Sequence, residues 1–363
     1  MSIIVENSKL NDSREVGSGN SGAALDQMWE MSWIKSSMLT GKNEIADRAD
    51  DIAGQLRAKS DTIVVVSGGV VRHLISAVIE GLKPADDRRE IIVTGETISA
   101  ADFAALAAKL GKGNFSLIAV ANEDETPSQM AAYVFIRKLL SERYGTRGAA
   151  SRTVIVASGK SRFIAEDGVN NGIEPIMLAE DAQAVYSGNT MALLLPIMAA
   201  GIDGHAYMDG FREMIADTWW DADGDEFSLS LAGAAKKGGK TEEILIWQRE
   251  LSAFGDFAAE LHRRCGIETV KIMMPEQRQS LNGQAYRTLF LLEKEARDVM
   301  LPVFPECGPE GSLNAMLQAA ADDCFNESGG TKIMLEEMTS YDFGRFVAFV
   351  QISAGITSFI LNN

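Results

Sequence analysis

Short β-branched and aliphatic runs alternate along the chain with stretches whose apolar positions recur at helical spacing. Thr62–Val66 (TIVVV) reads as a buried strand, and Val70–Leu82 follows as a helix. Glu90–Thr94 (EIIVT) is the next strand, after which Ser99, with Asp102 three residues on, marks a helix start. That helix, Ala101–Leu110, stops at Gly111. Ser116–Ala121 (SLIAVA) is a third strand, followed by a helix from about Ser128 to Tyr144; Arg152–Ala157 and Glu174–Leu178 complete a first sheet. Met191–Trp219 is helical, apolar and interrupted by Pro196 and Gly201, and is expected to bridge two domains. Beyond it come strand Glu243–Gln248, helix Phe254–Arg264, strand Thr269–Met274 and helix Gln284–Met300. Helix Ser312–Phe325, strand Lys332–Leu335 and helix Tyr341–Ile360 close the chain.

This rhythm predicts an α/β protein of two doubly wound, Rossmann-like parallel-sheet domains. The 363 residues suit two domains of ordinary size. The expected division is a lead-in over 1–45, a first domain over 46–205 and a second over 206–363.

Charge narrows the partners. With 34 basic against 51 acidic residues the net charge is -17, which argues against a nucleic-acid or anionic-membrane surface, because both need a positive face. Any phosphate site must therefore be local. Cys265, Cys307 and Cys324 form no paired spacing and fit a reducing compartment. The three histidines (His73, His205, His262) lack metal-ligand spacing, so no metal site is expected. The polar N-terminus lacks the blocks of a secretory signal, and the apolar stretch Met191–Ile202 is too short to cross a bilayer; the cytoplasm is the expected compartment.

Ligands of open parallel sheets bind where strands end and helices begin. Ser67-Gly68-Gly69, directly after TIVVV, allows backbone amides close approach to an anion; a tight strand-to-helix turn is the alternative. It is not a GxGxxG run, and a dinucleotide site is not expected. Thr126 or Ser128 can cap the helix that follows SLIAVA, with Pro127 in its first turn. The carboxylates Glu123, Asp124 and Glu125 just before them would repel a phosphate dianion. Polar residues of Arg278–Gln284, among them Ser280 and Gln284, line either a pocket or a solvated loop.

Several segments resemble the glucose-6-phosphate isomerase family, whose halves are sugar-isomerase (SIS) folds. VVVSGGVVRHLISAVIEGL is similar to the family's first glycine loop and helix, and EIIVTGETISAADFAALAAKL to the next strand and helix. SLIAVANEDETPSQMAAYVFIRKLL occupies the place of its phosphate loop, and LLLPIMAAGIDGHAYMDGFREM that of a following helix pair. LAGAAKKGGKTEEILIWQRELSAFGDFAAELHRR resembles the opening of the second half, and SYDFGRFVAFVQISAGITSFILNN the last helix. The resemblance runs from about Asp50 to Asn363.

The family's active-site motifs are changed. Its phosphate loop, Ser-Lys-Ser-Gly-Thr-Thr, is replaced by Ala121–Thr126, which keeps only the final threonine. Its Gly-Gly-Arg falls on Gln183-Ala184-Val185, and its ring-opening histidine falls near Ser280. Its catalytic glutamate falls near Arg264, with Glu268 the nearest carboxylate reached by sliding the alignment. Its closing motif would begin just after Asn363, so the second domain is expected to be C-terminally short relative to the family.

The resemblance implies an isomerase of glucose-6-phosphate and fructose-6-phosphate, acting in glycolysis and gluconeogenesis without a cofactor. Glu268 would be the base, and Ser67, Gly68, Gly69, Thr126, Ser128, Ser280 and Gln284 the substrate contacts. It also implies a homodimer, for which Met191–Ile202 is a candidate interface; packing within one chain is the alternative. A second function stays open: a non-catalytic, diverged member that binds a phosphosugar, another ligand or a partner on the same frame.

Overall fold

A computed structural model of the chain describes residues 3–7, 19–31, 33–35, 44–84, 87–121, 125–180, 183–220, 223–236, 241–273, 285–294, 298–301 and 311–362. Two compact units divide the chain, one of Met31–Met208 and one of Met1–Glu30 with Asp209–Asn363. Twelve strands occur among the described residues: β1 (Ile3–Asn7), β2 (Thr62–Val66), β3 (Glu90–Thr94), β4 (Phe115–Ala121), β5 (Thr153–Ala157), β6 (Ile176–Met177), β7 (Thr241–Ile246), β8 (Glu268–Met273), β9 (Tyr286–Lys294), β10 (Met300–Leu301), β11 (Gly311–Ser312) and β12 (Thr331–Glu337).

The Met31–Met208 unit is built on a five-stranded sheet in the order β3-β2-β4-β5-β6, parallel throughout. Every residue of β4 is buried, and so are the last four of β2. Strands covered by helices on both faces carry uninterrupted apolar runs instead of alternation, which is why TIVVV and FSLIAVA look as they do. Helix Pro127–Ala150 lays Ala132, Tyr133, Ile136 and Leu140 into the core beside Leu117, Ala119 and Ile155. Helix Met191–Ala199 is buried along its whole length and packs on helices Glu44–Lys59 and Gly69–Leu82. The expected bridge over Met191–Trp219 is therefore, in its apolar part, a core helix of this unit. A helix apolar on all sides must be surrounded by protein.

The other unit carries the order β1-β12-β9-β7-β8, parallel except that β1 runs antiparallel to β12. The lead-in expected over 1–45 is thus divided: Ile3–Asn7 is an edge strand, in register from Ile3 opposite Leu335 to Asn7 opposite Thr331. Its aliphatic residues gain more from the sheet edge than from solvent. A second correction concerns Gln284–Met300, expected as a helix, where the described residues hold strand β9. Leu289, Phe290, Leu291 and Leu292 are all buried, and such a continuous apolar run has no periodicity to separate a central strand from a buried helix.

The core of this second unit gathers around Phe254, stacked on Phe346 at 4.1 Å and meeting Phe290 and Phe343 edge-on. Both arrangements suit the ring quadrupole. Helix Ser340–Asn362 is long and apolar enough to cross a membrane, yet 83% of its apolar window is buried inside the fold.

Candidate functional site

In the Met31–Met208 unit the chain leaves β2 towards β3, then crosses back over β2 to reach β4. The strand order therefore reverses between β2 and β4, and the carboxyl ends of those strands flank the crevice where open α/β sheets hold ligands.

At the end of β2 the backbone N–H of Ser67 donates to the Thr94 carbonyl at 3.0 Å, tying the turn to β3. Gly68 stands at the N-cap of helix Gly69–Leu82 without any side-chain cap, and exposed Gly69 has φ 56°, a conformation glycine adopts freely. A Cβ on Gly68 would lie 2.8 Å from Gln129 Oε1, so the β2 turn and the start of helix Pro127–Ala150 press together. Gln129 is held there by donating Nε2–H to the Val120 carbonyl at 2.7 Å. The hydroxyls of Ser67 and of Ser158, at the end of β5, are buried and have no hydrogen-bond partner among the described residues.

Thr126 and Ser128 do what a helix start demands. Thr126 Oγ1 accepts the Gln129 N–H at 3.2 Å, and the two hydroxyls lie 2.9 Å apart. Glu125 is turned onto a neighbouring helix. Its carboxylate accepts from Ser161 Oγ (2.6 Å), Phe163 N (2.9 Å) and Ile164 N (3.1 Å), closing the N-terminus of helix Phe163–Asn170 with an internal anion.

Beside the β2 turn, Arg72 and His73 project from the first turn of helix Gly69–Leu82. Glu96 follows Gly95 at the end of β3. Arg72 Nη1 pairs with Glu96 Oε1 at 2.5 Å, and His73 Nε2 lies 3.6 Å from the same oxygen. The Glu96 side chain is 48% exposed, against 20% and 28% for its two neighbours. A carboxylate, a guanidinium and an imidazole thus meet at the carboxyl ends of β2 and β3, a set of groups able to exchange a proton and to hold a developing negative charge. Their sequence signal was faint: two polar residues opening an otherwise apolar helix, and a glutamate one residue past a strand.

The remaining expected residues lie elsewhere. Glu268 is the first residue of β8 and exposed, opposite Thr241 at the amino edge of its sheet, away from the strand ends that gather ligands. Ser280 and Gln284 lie outside the described residues. In this second sheet the order reverses between β7 and β9, and there Gln248 fills the gap. It donates to the Leu292 carbonyl at 2.8 Å and accepts the Leu292 N–H at 3.1 Å.

No protein-family model matches the sequence. A hypothetical protein from Thermus thermophilus superposes with TM-score 0.81 at 14% identity, covering 99% of this chain and 94% of that one. A glucose-6-phosphate isomerase from Chlamydia trachomatis superposes with TM-score 0.74 at 13% identity, covering 99% and 84%. The fold is the one these structures share, two α/β sheets of the SIS type that are parallel but for the edge strand β1. Sequence narrows this: the glucose-6-phosphate isomerase of Staphylococcus aureus (strain Mu3 / ATCC 700698) is 23% identical over 239 residues, 64% of this chain. The chain is homologous to glucose-6-phosphate isomerase, and its match spans about half (54%) of that relative's length.

Proposed function

We propose that the chain binds a phosphorylated hexose at the carboxyl edge of the Met31–Met208 sheet and interconverts its aldose and ketose forms, glucose-6-phosphate and fructose-6-phosphate being the first candidates. The observation that carries this reading is Glu96 held between Arg72 and His73 beside an uncapped glycine turn. On the opened sugar, the Glu96 carboxylate takes the proton from C2 and returns it to C1, while the hydroxyl proton on O2 passes to O1 across the enediolate. The Arg72 guanidinium holds the enediolate oxygens as charge develops on them. His73 moves the proton between the ring oxygen and the C1 hydroxyl during ring opening. The free amides at Gly69 and the buried Ser67 hydroxyl serve as polar contacts for the sugar, with Thr126, Ser128, Ser280 and Gln284 as further candidates. Glu96 replaces Glu268 in the role of base, because Glu268 sits at the wrong end of its strand for this chemistry. The reading places the protein in cytoplasmic hexose-phosphate metabolism, as a homodimer like that implied by the family resemblance.

A second reading, ligand binding without turnover, draws on Glu125, whose carboxylate already occupies a helix N-terminus beside the crevice. The two separate on calorimetry with fructose-6-phosphate and a coupled assay of glucose-6-phosphate formation. Turnover that falls by ~10²–10⁴ in Glu96→Gln while binding persists supports the isomerase. Binding with no turnover supports the second reading, and a folded protein that binds neither hexose phosphate overturns both.

A further inference from the structure

At the opposite, amino edge of the same sheet lies a cavity of about 630 Å³, lined among others by Arg57, Lys59, Asp61, Asp87, Arg88 and Arg89. It sits where β2, β3 and β4 begin. In a chain with 51 acidic and 34 basic residues, four cations against two carboxylates on one cavity wall run against the overall composition. Two more cations stand close by: Lys83 donates to the Arg89 carbonyl at 2.6 Å, and Arg152 donates to the Lys59 carbonyl at 2.7 Å.

The cluster is fixed in place. Asp87, whose side chain is 9% exposed, accepts from Arg57 Nη2 at 3.0 Å, from the Arg89 backbone N–H at 2.9 Å and from Arg89 Nη1. Burial alone would raise the Asp87 carboxyl; the Arg89 amide and the charges of Arg57, Arg89 and Lys83 outweigh it and hold the group below its ordinary value. Arg57 Nη1 also donates to the Met198 carbonyl, and Arg89 Nε to the Arg57 carbonyl. Gly201 admits this packing, since a Cβ there would lie 2.6 Å from Asp87 Oδ2 and 2.8 Å from Arg57 Nη1.

Asp87 thus aligns two guanidiniums without using all their donors: Arg57 Nε and Arg89 Nη2 make no hydrogen bond among the described residues. Exposed Arg88 makes no ion pair or side-chain hydrogen bond among them either. The other carboxylate, Asp61, accepts the Asn114 N–H at 3.1 Å. Two positive charges, those of exposed Lys59 and Arg88, remain uncompensated beside this fixed, forked pair.

We propose that this cavity binds a small anion of the diphosphate type. Fork-shaped guanidinium donors match phosphate oxygens geometrically, and the two excess charges match such an anion electrostatically. The proposal does not depend on the isomerase reading, because the cavity and the crevice lie at opposite ends of the strands.

The test is calorimetric titration of the full chain with inorganic pyrophosphate, ionic strength held constant with potassium chloride. Saturable binding is expected, weakened at least ~10-fold in Arg88→Glu, a variant that breaks no internal bond, and unchanged in Arg72→Gln at the other edge. No binding by the folded chain, equal binding by Arg88→Glu, or loss of binding in Arg72→Gln would each overturn the assignment. Citrate binding as tightly as pyrophosphate would overturn the diphosphate class.

Discussion

A Cβ built on Gly95 would stand 2.2 Å from the carbonyl oxygen of Ser67, so the ends of β2 and β3 touch backbone to backbone. Gly95 also holds φ 128°, outside the range L side chains adopt readily. This contact brings Glu96 next to the turn that carries Arg72 and His73. Gly95→Ala must force the two strand ends apart and strain its own backbone. It should lower stability by ~2–4 kcal/mol, read from urea unfolding monitored by tryptophan fluorescence. A loss of under ~1 kcal/mol would mean that the strand ends yield easily and that the site is not rigidly placed.

Glu125 makes its three hydrogen bonds to one helix start. Glu125→Ala leaves two backbone N–H groups and a hydroxyl without their acceptor and removes a charge that complements the helix dipole. The expected destabilisation is ~1–3 kcal/mol. Glu125→Gln keeps the shape and part of the bonding, so it should cost less. If a sugar phosphate binds nearby, it should also tighten that binding by removing a like charge. Thermal unfolding and phosphosugar titration of the same two variants check both halves; an Ala variant as stable as the parent would discard the capping role.

The strands that were legible in the sequence are those whose β-branched or aliphatic runs are short and bounded by turn residues, such as TIVVV before Ser67-Gly68-Gly69. Tyr286–Lys294 was not legible, because Leu289–Leu292 are buried on both faces and the charged residues around them mimic a helical stripe. Ile3–Asn7 escaped for another reason: an edge strand exists only once β12 is there to pair with it. The glycine turn of the candidate site was visible as a motif. The meeting of Arg72 with Glu96 was not, since 24 positions separate them and only the β2–β3 register, Val66 opposite Thr94, brings them together. The capping role at Thr126 was legible because capping is local chemistry.

Glu242 is fully buried at the start of β7, and three neighbours converge on it. Thr288 Oγ1 donates at 2.5 Å and Thr269 Oγ1 at 3.1 Å, while His262 Nδ1 lies 2.6 Å away. Removing one member of a buried, hydrogen-bonded charged cluster typically costs ~3–5 kcal/mol, because the others stay buried without it. Glu242→Ala should fall in that range, and Glu242→Gln, which retains acceptor and shape, well below it. Denaturant unfolding of the pair distinguishes them; equal losses would show that volume, not hydrogen bonding, governs the site.

Lys332 ties the edge strand to the sheet. Its ammonium, on a residue 6% exposed, reaches Glu6 of β1 at 2.6 Å and Asp322 of helix Leu313–Ser328 at 2.8 Å. Burial would lower the Lys332 pKa, but the hydrogen bonds to Asp322 and Glu6 outweigh it and raise the group above its ordinary 10.5. A pKa raised on folding means that the folded chain holds this proton more tightly than the unfolded one. The resulting stability is fully present below 10.5 and is lost as the pH climbs through the folded value. Alkaline titration of the unfolding midpoint should therefore show a decline beginning near pH 10.5. The same titration of Lys332→Met should be flatter there and start from lower stability, by ~1–3 kcal/mol at neutral pH. A Met variant with the parent's alkaline slope would assign that slope to other groups.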